Sequence, residues 1–117
     1  MEFEVKSSPT ILYTYLTTPS GLAEWYADNV NVKGKIFTFF WDGDERASEM
    51  SSKPGSKVFY HWLDSKEEYL GLEISQDEIT GDIALVVTDF VNSDELDETK
   101  MLWESQVSLL RAALGAA

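Results

Sequence analysis

Cysteine is absent from the 117 residues, and histidine occurs once, at His61. No disulfide, thiolate nucleophile or cysteine-ligated zinc can therefore be built, and one imidazole is too few for an ordinary zinc set. A chain without cysteine suits a reducing cytoplasm, where this one is expected to work. Positive charge is scarce: nine Lys and Arg stand against 21 Asp and Glu, for a net charge of −12. Such a surface repels a phosphate backbone, which argues against nucleic acid as a partner. No apolar run approaches the ~20 residues of a membrane-spanning helix. The opening "MEFEVKSSP" has neither a basic leader nor an apolar segment, so no secretory signal is expected. Repeats, low-complexity tracts and Pro/Gly-rich linkers are missing too, and residues 1–117 read as a single domain. Without a Gly-rich phosphate loop, nucleophile elbow or dinucleotide fingerprint, no cofactor, no metal and no catalytic set is expected.

What is abundant is aromatic surface. Four Trp, five Tyr and six Phe, in a chain that is 44% hydrophobic, suffice for one core without covalent or metal staples. A domain of this size buries roughly two thirds of its unfolded surface.

The apolar pattern changes period twice along the chain. "MEFEVK" alternates, with Phe3 and Val5 on one side, and predicts a short first strand. Ser8 and Thr18 each precede a proline, the signature of a helix N-cap followed by a position that needs no N–H. Two short helices are predicted there, over 9–16 and 19–27. Turn signals at 42–44, 53–57, 64–68 and 77–82 then separate strands over about 35–41, 45–52, 57–63, 69–76 and 83–89. Connections this short leave antiparallel neighbours. Beyond Asn92 a helical period takes over at Leu96, Trp103, Val107, Leu110 and Leu114, widened by Met101, Leu102, Leu109 and Ala113. Asp94, Glu95, Asp97 and Glu98 suit the positive end of that helix, and Arg111 the other, so the acidic cluster needs no ligand to explain it. "DGDE" at 42–45 lacks the alternating oxygen ligands of a calcium loop and reads as a hairpin turn.

Strand, two short helices, strand meander and long final helix is the order of the helix-grip architecture. "TTPSGLAEWYADNV" (17–30) resembles the segment after the first helix in one branch of the START/Bet v 1-like (SRPBCC) superfamily, that typified by activators of the Hsp90 ATPase. "MLWESQVSLLRAAL" (101–114) resembles the final helix of that branch, and "IFTFFWDG" and "KVFYHWL" look like its paired strands. The resemblance spans nearly the whole chain. It implies an α+β helix-grip fold, with a curved antiparallel sheet wrapped around a long C-terminal helix and two short N-terminal helices. Members of such a group include carriers of lipids and hydrophobic ligands, polyketide cyclases and co-chaperone domains, with no shared catalytic residues to carry over.

In that architecture the hollow face of the sheet meets the final helix. Phe37, Phe39 and Trp41 are expected to face inward beside Val58, Tyr60 and Trp62, with Leu70, Leu72 and Ile74 beyond. Trp25 and Tyr26 belong at the cavity entrance, Trp103 and Val107 on the gripping helix, and Asp89 is the candidate polar anchor. The candidate ligand-binding set is therefore Trp25, Tyr26, Phe39, Trp41, Tyr60, Trp62, Asp89, Trp103 and Val107. Ile36, Thr38 and Phe40 face outward with Phe59, His61 and Leu63; His61 has no substrate within reach there and reads as structural. An outer face this apolar is an expected homodimer or partner interface, built on Ile36, Phe40, Phe59 and Leu63. The leading expectation is a small non-enzymatic protein binding a lipid or other apolar molecule between sheet and helix. A dimeric interaction module or chaperone ATPase regulator is the alternative, and a cyclase or hydrolase the third.

Overall fold

The computed structural model describes residues 1–116; Ala117, the last residue of the expected domain, lies outside the described residues. Strand β1 (Glu2–Val5) is followed by helices α1 (Pro9–Thr17) and α2 (Pro19–Leu22). Six strands come next, β2 (Asn29–Lys33), β3 (Ile36–Trp41), β4 (Asp44–Lys53), β5 (Lys57–Trp62), β6 (Tyr69–Gln76) and β7 (Ile83–Thr88). A 3-10 turn at Ser93–Glu95 leads into α3 (Leu96–Ala116). The strands form one sheet in the order β1-β7-β6-β5-β4-β3-β2, with every pair antiparallel. This is the α+β helix-grip arrangement: a curved seven-stranded sheet, a long C-terminal helix and short N-terminal helices.

Local chemistry explains the helix starts. Ser8 Oγ accepts from the Ile11 amide at 3.2 Å, and Thr18 Oγ1 from the Gly21 amide at 3.0 Å, each just before a proline. Gly21 is where α1 and α2 touch: a Cβ there would stand 2.7 Å from the Thr14 carbonyl oxygen and the Tyr15 Cα. The Asp42–Gly43 turn joins β3 to β4 with Gly43 at φ 81°, and the two-residue connection sets Trp41 opposite Asp44 and Phe39 opposite Arg46.

Three expectations change. The second helix stops at Leu22 rather than 27, because the chain turns so that Trp25, Tyr26 and Ala27 all enter the core. A strand not expected from the sequence, β2, pairs with β3; its "NVNVK" buries only Val30, too little for an apolar pattern to register. The stripe on α3 is narrower than its hydrophobic content. Trp103, Val107, Leu110 and Leu114 are buried, whereas Leu96, Met101, Leu102 and Leu109 point to solvent.

The sheet register agrees with the expected faces. Phe37, Phe39, Val58, Tyr60, Trp62, Leu70 and Leu72 are buried, with Trp41 and Ile74 packed at the margin of the same core. Ser48 is the one buried polar residue among those described, and its hydroxyl donates to the Phe37 carbonyl at 3.0 Å.

Candidate functional site at the aromatic rim

The ends of β3, β5 and β7 and the starts of β4 and β6 share one edge of the sheet, and the N-terminal half of α3 crosses it. Tyr26 is the hub of this rim. Its ring stacks on Trp103 (centroids 5.7 Å apart, planes at 22°), meets Phe39 and Trp41 edge-on at 5.2 and 5.5 Å, and lies tilted against Trp25 at 5.6 Å. Phe39 in turn contacts Tyr60 at 5.3 Å and Trp62 at 5.8 Å. These separations are those of rings in van der Waals contact, so side chains occupy the space between α3 and the sheet wall.

Most polar handles of this cluster are committed within the chain. The Trp25 indole N–H donates to the Tyr15 carbonyl and the Trp41 N–H to the Tyr26 carbonyl, both at 2.9 Å. The Tyr60 hydroxyl donates to the Leu16 carbonyl at 2.6 Å, and Gln106 Nε2 donates to the Tyr26 carbonyl at 3.3 Å. The Trp103 N–H donates to Asp89 Oδ2 at 2.9 Å, while Asp89 Oδ1 accepts from the Phe90 amide. Burial, and then the nearby Tyr13, push the Tyr60 phenol well above its ordinary range.

Tyr26 differs. Only 9% exposed, its hydroxyl makes no hydrogen bond among the described residues, although every fully buried side-chain polar atom among them has a partner. It therefore reaches solvent at the rim. Burial raises its pKa far above 10.0, the Asp89 carboxylate raises it further and Arg46 opposes slightly, so the group stays a neutral donor.

Arg46 and Gln106 are site residues that sequence reasoning missed. Arg46 lies over the Trp62 ring, 4.2 Å from its centroid, and clamps Asp64 with Nη2 at 2.9 Å from Oδ1 and Nε at 3.0 Å from Oδ2. That bond holds the exposed Asp64 carboxyl below its ordinary value. The signal for Arg46 was present: a two-residue turn at Asp42–Gly43 puts it opposite the inward Phe39. Two open grooves flank the rim. One of about 380 Å³ is lined by Trp25, Tyr26, Trp41, Gln106 and Leu109, and one of about 510 Å³ by Glu68, Asp89, Phe90 and Leu102, among others.

Of the nine expected ligand residues, Trp25, Tyr26, Phe39, Tyr60, Trp62, Trp103 and Val107 are buried in one cluster, with Trp41 and Asp89 half-buried at its edge. The four expected interface residues do point outward, with Leu63 59% exposed and Ile36, Phe40 and Phe59 half-buried, but they are spread over the face. Phe40 stands opposite Glu45 and Phe59 opposite Ser51, six positions apart on β4 and about 20 Å along the strand. Phe59 belongs to a separate row with Tyr69 and Phe90, whose rings lie 5.6 and 4.9 Å apart in turn. His61 flanks that row, within 3.1 Å of Ser51 Oγ.

A helix-grip domain with a closed aromatic centre and a wet rim is the class defined by this geometry. The model of the START-like superfamily domain matches residues 1–116, and the chain belongs to that superfamily. A solution structure of a Bacteroides fragilis protein is 38% identical, with 97% of this chain and 88% of that one covered and a TM-score of 0.61. The solution structure of the Aha1 dimer from Colwellia psychrerythraea is 17% identical, covering 97% and 92%, at a TM-score of 0.79. A crystal structure from Mesorhizobium loti is 18% identical, covering 100% and 96%, at 0.78. The last two are likenesses of fold alone. A search of curated proteins finds no match. No helix among the described residues is long and apolar enough to cross a membrane.

Proposed function

We propose that this chain is a non-enzymatic binding protein that takes a small, uncharged, mostly apolar molecule at the aromatic rim, with Tyr26 donating a hydrogen bond to an acceptor on it. The observation that carries this reading is the Tyr26 hydroxyl, which reaches solvent from a side chain that is otherwise nine-tenths buried and has no partner among the described residues, in a cluster whose other polar handles are committed. An acceptor on a ligand that shields this donor from water replaces its hydrogen bond to solvent, for a net gain of about 0.5–1.5 kcal/mol. Charge selects the head group. A carboxylate would meet Asp89, Asp64 and Glu68, and the one nearby cation, Arg46, is already clamped, so a ketone, ester or amide oxygen is favoured. With rings filling the interior, the ligand lies against the rim grooves instead of deep between sheet and helix, where the sequence alone placed it. The cysteine-free composition supports a cytoplasmic site of action.

The test is a titration of wild type and Tyr26→Phe with three naphthalenes of similar shape: 2-acetylnaphthalene, 2-ethylnaphthalene and 2-naphthoate. Tryptophan fluorescence is expected to show the ketone binding about three- to tenfold tighter than the hydrocarbon in wild type, a preference lost in Tyr26→Phe, with the anion weakest. Equal affinities in both variants, or no saturable binding, would reject the reading. Association between proteins is the second reading, supported by the exposed Met101, Leu102 and Leu109 on α3. The chaperone-regulator and cyclase readings that the family resemblance implies have no such residue-level support.

A further inference from the structure

Helix α3 is apolar on two sides, and one of them is the outer side. Met101, Leu102 and Leu109 are 68%, 58% and 56% exposed there. Between positions 101 and 115 the exposed charges are Glu104 and Arg111 alone, so in a chain of net charge −12 this strip is neutral. We propose that it is the contact between two copies of this chain, α3 packed antiparallel on α3.

Self-complementarity is what selects a second copy as the occupant. Met101, Ser105, Ser108 and Ala112 recur at four, three and four residues and form the middle of the strip, where the small side chains of the last three let two backbones approach. Leu102 and Leu109 flank it on one side, Glu104 and Arg111 on the other. Each flanking pair is seven residues apart, two helical turns. A two-fold axis between Val107 and Ser108 therefore sets Glu104 of each copy against Arg111 of the other, and brings the two copies of Leu109 together beside the axis with Leu102 toward the ends of the seam. Parallel pairing would instead turn the Glu104 and Arg111 flank of each copy toward the Leu102 and Leu109 flank of the other, leaving the charges unpaired. Arg111 donates Nε at 3.0 Å and Nη2 at 2.6 Å to the Glu4 carbonyl, which holds the guanidinium in place and leaves Nη1 for the carboxylate. A charged partner would find no matching charge on so neutral a strip.

Size sets the strength. A helical face roughly 20 Å long and about 10 Å wide offers on the order of 400 Å² per copy, half the usual ~800 Å², so the dimer is weak and reversible.

Sedimentation equilibrium over a hundredfold concentration range reaching about 1 mM tests this on wild type, Leu109→Glu, Glu104→Arg and the swap Glu104→Arg/Arg111→Glu. Wild type is expected to pass reversibly from monomer to dimer. Leu109→Glu should raise the dissociation constant at least about tenfold and Glu104→Arg about fivefold, while the swap returns it to within about twofold of wild type. Melting curves confirm that each variant is folded; should the swap unfold because Arg111 leaves Glu4, the two single variants decide. A wild type that stays monomeric throughout, or a dimer indifferent to Leu109→Glu, overturns the proposal.

Discussion

Phe39 and Phe40 are neighbours in the chain and opposites in the fold. Phe39 is fully buried on the hollow face of the sheet, in contact with Tyr26, Tyr60, Trp62 and Trp41. Phe40 is half-buried on the outer face, opposite Glu45 and Asn29. The same side chain thus anchors a connected cluster on one face and stands among polar neighbours on the other. Hydrophobic content alone does not distinguish these roles; connection to other rings does. The same lesson holds on α3, where Trp103 and Leu102 are adjacent, one 2% exposed and the other 58%.

Truncation should separate the two faces most sharply. Phe39→Ala is expected to cost about 3–5 kcal/mol in urea unfolding, as for other large buried aromatics, and Phe40→Ala about 1 kcal/mol. Similar losses from both would mean that the outer face packs against something beyond the chain. A smaller contrast lies in the hydrogen bonds of the two faces. Tyr60→Phe orphans the buried Leu16 carbonyl and should cost about 1–2 kcal/mol, while Ser51→Ala, which removes only the exposed contact to His61, should stay within about 0.5 kcal/mol.

How far could the two faces be read from the chain alone? Alternation in β3 and β5, with turns of fixed length between strands, sufficed to place Phe37, Phe39, Tyr60 and Trp62 inward, since a slip of one residue would have put Thr38 and His61 in the core. The helix-grip order was legible for the same reason, together with the proline-flanked caps. The single outer patch was not. Whether Phe40 and Phe59 touch depends on their shared register against β4, and that sums several turns and pairings. Periodicity also merged two narrow stripes of α3 into one broad one, because it counts apolar residues without knowing which side has a partner. Tyr26 was placed at the entrance by resemblance, but its unpartnered hydroxyl is a property of three-dimensional neighbours, invisible in "EWYAD".

The gentlest probe of the contrast is alkaline titration. Tyr26 and Tyr60 have phenols raised above the ordinary 10.0, chiefly by burial, so their neutral forms belong to the folded state. That contribution is complete below pH 10 and is lost as pH rises past it, because the unfolded chain can ionise where the folded one cannot. Both phenolates should therefore appear in ultraviolet absorbance only together with loss of the near-ultraviolet circular dichroism of the tryptophans. Ionisation of either within an intact fold would mean that the rim is wetter than its packing implies.

The rim itself can be questioned at one atom. In 2-acetylnaphthalene labelled with carbon-13 at the carbonyl, a hydrogen bond from the Tyr26 hydroxyl should move that resonance downfield when wild-type protein is added, saturably, and Tyr26→Phe should abolish the movement. The same shift with both proteins, or none with either, would contradict the assignment of Tyr26 as the donor that receives a ligand.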